Sequence, residues 1–104
     1  MTDPDLARAM ALHQAGRLDE AIRAYRALLP RRKADPQLNH LLGLALFAKG
    51  EAKAALEPIR AALARVPGHP QLLNDMGNVL RALGRQSEAA EAFRRALAAD
   101  ANFH

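Results

Sequence analysis

Apolar residues recur along this chain at helical spacing, and the whole pattern then repeats. Gly16, Gly50 and Gly84 are 34 residues apart in both intervals, and Leu12, Leu46 and Leu80 keep the same register. So do Ala21, Ala55 and Ala89; Tyr25, Ile59 and Phe93; and Leu29, Leu63 and Leu97. Gly43 matches Gly77, and Pro36 matches Pro70. A fixed period of this length marks stacked supersecondary units. Each unit reads as helix, tight turn, helix. The first helix of the second unit is predicted over 36–49, with Asp35 as N-cap and proline at the first helical position, where its missing N–H costs nothing. The first helix of the third unit starts in the same way at Pro70. Gly50 and Gly84 then stand where a helix ends in a left-handed turn.

The second helices are predicted over 18–29, 52–65 and 86–99. Pro58 should kink the middle one, and Pro30 should end or bend the first at Leu29. Small residues at Gly43, Gly77, Ala55 and Ala89 let paired helix axes approach, and Tyr25, Ile59 and Phe93 fill the remaining space. A lone hairpin leaves one apolar face bare, so each unit must stack on the next. The expectation is an all-α chain, a single domain over 1–104, built as an αα superhelix of three hairpins at about 2–35, 36–69 and 70–104.

Composition agrees: half the residues are apolar and only 4% aromatic, and Ala and Leu dominate. Without cysteine there is no disulfide framework or thiolate metal site, and a cytoplasmic location is the default. No apolar run reaches membrane-spanning length, and the opening residues, with Asp3 and Asp5, do not form a signal peptide. The net charge of +4 comes mainly from scattered arginines with one cluster, Arg31, Arg32 and Lys33. Solvated helix faces account for most of it.

Catalytic chemistry finds few candidates. Ser87 and Thr2 are the only hydroxyl residues besides Tyr25, and Ser87 sits near a predicted helix start, where it suits a cap. His13, His40, His69 and His104 form no pair at i, i+4, so no metal site is expected; His69 reads as a loop residue and His104 as a tail residue. The glycines lie singly, so there is no phosphate loop and no cofactor is expected.

These residues resemble the tetratricopeptide repeat (TPR): Leu and Gly on the first helix, Gly at the turn, Ala and an aromatic on the second. The third unit carries Met76, Gly77, Leu80, Gly84, Ala89, Phe93 and Ala96, and the second carries Leu42, Gly43, Leu46, Gly50, Ala55, Ile59, Ala62 and Pro67. The first departs, with Arg8 and Ala9 in place of Leu and Gly, as a terminal capping unit would. The family's Trp near the start of the first helix is replaced by Asp5, Asn39 and Leu73.

The resemblance implies a concave groove lined by the first helices and a convex back formed by the second. By register, the groove holds Met10 and His13, then His40, Leu44 and Phe47, then Asn74, Asn78 and Arg81, passing from apolar to polar. That gradient suits a peptide or protein partner. Leu6 and Met10 stand where a carboxylate clamp would need Lys and Asn, and Asn78 has Met10 and Leu44 as counterparts, so neither a clamp nor an asparagine ladder is carried over.

The leading expectation is a non-catalytic protein-interaction scaffold. The alternatives are the N-terminal recognition arm of a larger sulfotransferase or glycosyltransferase, the tail after Ala99 resembling a loop into a fourth repeat, or a weak nucleic-acid binder. Against the last, Tyr25, Phe47 and Phe93 are assigned to packing, which leaves no stacking platform. No polar capping helix follows Ala99, so Ala90, Phe93 and Leu97, with Phe103 nearby, are expected to form an uncapped stripe and a homodimer contact.

Overall fold

The computed structural model describes residues 3–101, which form six α-helices in three hairpins. The pairs are α1 (Pro4–Gln14) with α2 (Leu18–Leu28), α3 (Pro36–Ala48) with α4 (Ala52–Arg65), and α5 (Pro70–Ala82) with α6 (Gln86–Ala101). The last helix thus runs two residues beyond the predicted 99. No strand occurs among the described residues.

Local chemistry sets each boundary. Asp3 Oδ1 accepts the Asp5 N–H at 2.9 Å, and Asp35 Oδ1 accepts those of Gln37 at 2.9 Å and Leu38 at 3.4 Å, each ahead of a proline. His69, expected in a loop, instead caps α5: its Nδ1 accepts the Leu72 N–H at 3.3 Å. At the turns, Gly16, Gly50 and Gly84 hold φ of +80°, +93° and +77°. That conformation lets the amides of Arg17, Glu51 and Arg85 donate to the carbonyls of Leu12, Leu46 and Leu80, each at 2.9 Å, so the turn satisfies carbonyls the helix end would otherwise orphan. Pro30 ends α2 at Leu28 and carries the chain into a 3₁₀ turn, Leu29–Arg31. Pro58 does not interrupt its helix; α4 runs through it, with the proline ring buried.

Close helix approach needs the missing side chains. A Cβ built on Gly43 would lie 2.5 Å from Ile59 Cγ1, and one on Gly77 would lie 2.5 Å from Phe93 Cε1. In α1 the corresponding Ala9 is fully buried, so that hairpin closes around a methyl group. Between hairpins α2 packs on α3 and α4 on α5. The first helices also touch across repeats, α1 with α3 and α3 with α5, whereas the second helices make no comparable mutual contact. The array therefore curves with α1, α3 and α5 on its inner side.

Ion pairs fasten the first two repeats at both ends. Lys49 Nζ reaches Asp19 Oδ1 at 2.6 Å, which holds the Asp19 carboxyl below its usual range and raises Lys49. Arg32 bonds Asp3 at 2.9 Å and also pairs with Asp35, while Arg31 approaches Asp5 at 3.4 Å. Two members of the basic cluster are thus matched by carboxylates.

Candidate functional site

The inner face is built by register: one helical turn of α1, α3 and α5 after another brings successive side chains to the same side. At its first end, Leu6 and Met10 border a cavity of about 800 Å³ that is edged by Asp3, Arg32 and Gln37. Met10 is half-buried and open to this space. Further along, Leu44 and Phe47 are also half-buried, as is Leu41. Phe47 and Leu41 rest their inner edges on the core and leave their outer edges to solvent. These residues are neither wholly core nor wholly free.

The polar groove residues are more committed to one another than their spacing suggests. His13 Nδ1 and the Tyr25 hydroxyl share a hydrogen bond of 2.9 Å, with the rings edge to face at 5.8 Å. Burial lowers the His13 pKa and pushes the Tyr25 hydroxyl up to about 12, in each case because it disfavours the charged form. One nitrogen of His13 is therefore spent inside the first hairpin. His40 Nε2 lies 2.6 Å from Asp75 Oδ2, a link from α3 to α5 with both side chains less than one-fifth exposed. The His69 ring stands edge to face with His40 at 6.1 Å. Asp75, a groove position by register, stands one repeat plus one residue after His40.

At the far end Asn78 Oδ1 accepts from Arg81 Nη2 at 3.0 Å. The same guanidinium carbon sits 5.6 Å from the centre of the Phe93 ring, a cation–π contact reaching from α5 to α6. Asn74 is exposed and faces a cavity of about 420 Å³ at the open end, which it lines with Gln71, Phe93, Ala96 and Leu97. It thus joins the groove to the outer face of α6. On that face Ala90 is exposed, Phe93 half-buried and Leu97 72% exposed. Phe103, assigned to the same stripe, lies outside the described residues, as does His104.

No group of three His, Asp or Glu side chains among the described residues is placed to hold a metal. No described helix is long and apolar enough to cross a membrane.

A family model described as tetratricopeptide repeat matches residues 5–39 and 40–102. No curated protein matches the chain. Among solved structures, MamA MSR-1 superposes with a TM-score of 0.90 at 18% identity, covering 96% of this chain and 57% of that one. MamA AMB-1 gives 0.89 at 19% identity, covering 94% and 58%. PcrH, solved in complex with the chaperone binding region of PopD, gives 0.87 at 23% identity, covering 92% and 72%. The likeness is one of fold, and the chain spans less than two thirds of the MamA chains.

Proposed function

The chain belongs to the tetratricopeptide repeat family, and from that premise we propose that it is a non-catalytic interaction module that holds a peptide or protein segment along its inner face. One observation carries the reading: Met10 on α1 and Leu44 and Phe47 on α3, apolar residues at inner-face positions of the repeat, all stay half-buried rather than closing into the core. Burying such side chains in a partner removes apolar surface from water at roughly 25 cal/mol per Å². Asn78 and Arg81, beyond the track, supply polar contacts for the partner's backbone or carboxylates. PcrH, which shares this fold, was solved with a segment of another protein bound. The absence of cysteine agrees with a cytoplasmic role. The pairing of Arg31 and Arg32 with carboxylates weighs against nucleic acid as the partner.

A displayed peptide library, selected against the whole chain, tests the proposal. Enriched peptides should carry apolar anchors followed by an acidic or amide residue. Phe47→Ala should weaken the best of them about tenfold, and Asn78→Asp somewhat less. Arg23→Ala, on the exposed back of α2, should leave binding unchanged. Equal losses from all three in folded protein would remove the groove from consideration.

A second reading has its own support in Leu97, the exposed large hydrophobic residue of the described chain. With Ala90 and Phe93 it makes α6 a contact for a second copy of the chain, in a weak to moderate homodimer.

A further inference from the structure

On the outer side of the array, a crevice of about 390 Å³ opens between α2 and α4. That volume lies within the range of about 300–1,000 Å³ that small ligand sites occupy. Leu29, Leu42, Leu46 and Pro58 form apolar walls, and Arg26 and Glu57 stand exposed at its mouth.

Asn39 also lines this crevice and, at 4% exposed, is the buried polar residue of the described core. Its Nδ2 donates to the carbonyls of Lys33 at 2.9 Å and Asp35 at 3.0 Å. Two carbonyl partners fix the amide's orientation, because the flipped group would set oxygen against oxygen. Its Oδ1 accepts no hydrogen bond among the described residues, and it stays in reach of solvent, because no fully buried side-chain polar atom there lacks a partner. Pro58 has no N–H to give the carbonyl of Ala54, and both residues border the crevice.

The third repeat shows why the space exists. At the register of Asn39 it has Leu73, 1% exposed, and at the register of Ala61 it has Arg95. Arg95 Nη2 reaches the carbonyl of Pro67 at 3.5 Å, whereas the carbonyl one period earlier, that of Lys33, is taken by Asn39. A short amide replaces a leucine below and a methyl group replaces a long cation above, and together they open the crevice.

We propose that this crevice is a binding site for the indole ring of a tryptophan on a partner chain. The walls are apolar, and the amide oxygen of Asn39 is an acceptor without a partner among the described residues. Indole carries an N–H donor and no acceptor, so it satisfies an amide oxygen without introducing a lone pair that the walls cannot serve; a phenol would introduce one. Arg26, at the mouth, can cover the ring face. The chain has no tryptophan of its own. The proposal rests on the interaction role given above but not on the inner groove, from which this site is separated by the first helices.

The test is a titration of the whole ¹⁵N-labelled chain with N-acetyltryptophanamide, followed by NMR. Saturable shifts are expected at the Asn39 side-chain amide and along α2 and α4. The 1-methylindole analogue, which lacks the N–H, should bind about fivefold more weakly. Asn39→Leu and Ala61→Arg should each weaken binding at least about tenfold. Both copy residues that the third repeat already accommodates, so both are expected to fold. Phe47→Ala should have no effect on this probe, while Ala61→Arg should leave groove peptides untouched, so the two sites fail separately. An absence of shifts at about 10 mM probe, shifts confined to the first helices, or wild-type affinity in both variants would overturn the assignment.

Discussion

Tyr25, Ile59 and Phe93 occupy one place in three successive hairpins, yet the first two have no exposed surface and the third is half-buried. One helical turn on, Leu29 and Leu63 are half-buried where Leu97 is 72% exposed. Ile22 and Leu56, both buried, correspond to an exposed Ala90. The repeat register dictates which side chain points outward from α2, α4 and α6; the next hairpin decides whether it meets protein or water. The first hairpin differs in another way. Where α3 has Leu41, Leu42 and Ala45, none of them exposed, α1 has Ala7, Arg8 and Ala11, all exposed. At these positions α1 is small and charged, whereas the outer face of α6 keeps its leucine.

The largest test of this contrast is in the core. Ile59→Ala should cost about 3 kcal/mol in urea unfolding, as deletion of a fully buried aliphatic side chain does. Phe93→Ala removes a bigger group, yet it should cost about half as much, because part of that ring already faces solvent. A Phe93 loss equal to or above that of Ile59 would mean the third hairpin is as well covered as the second.

An intermediate effect is expected on association. Leu97→Glu should raise the dimer dissociation constant at least about tenfold in sedimentation experiments. Monomer stability should change by no more than about 0.5 kcal/mol, as for other surface substitutions. Ala7→Glu, on the exposed side of α1, should do neither. A chain that is monomeric up to millimolar concentration, or a dimer indifferent to Leu97→Glu, would show that the exposed stripe is not an interface.

The smallest effect concerns pH. Burial lowers the His13 pKa from the ordinary imidazole value of 6.5, so the folded state prefers the neutral ring and the unfolded state binds the proton more readily. Stability from this group is fully present above pH 6.5 and is lost as the pH falls through 6.5 toward the lowered value. The melting temperature should therefore drop slightly between pH 7.5 and 5.5, with amide exchange rising first in the first hairpin. His13→Phe, the residue the second repeat carries at this register as Phe47, should flatten that slope. An unchanged slope would place the titration elsewhere.

The hairpins, their turns and the order of burial were legible because each depends on residues a few positions apart: Gly84 after Arg81, Pro36 after Asp35. The matching of Gly43 to Ile59 and of Gly77 to Phe93 was legible too, since small and large residues recur together. The bonds of His13 with Tyr25, His40 with Asp75 and Asn39 with two loop carbonyls were not. They depend on how far each helix is rotated against its neighbour, and a period of 34 residues says nothing about that rotation. His69 as a cap was missed for a different reason: imidazole is an uncommon replacement for the Ser, Thr, Asp or Asn that usually accepts the first amide.

Because each helix touches only its partner and the nearest helices of the adjoining hairpin, no segment of the chain waits for a distant one before it can gain structure. Such a chain folds by zippering, with short loops to close and a fast rate. Pulled from its two termini, it should give way piecewise rather than all at once. The two outer hairpins, each gripped on one side only among the described residues, should peel before the middle one, which holds longest.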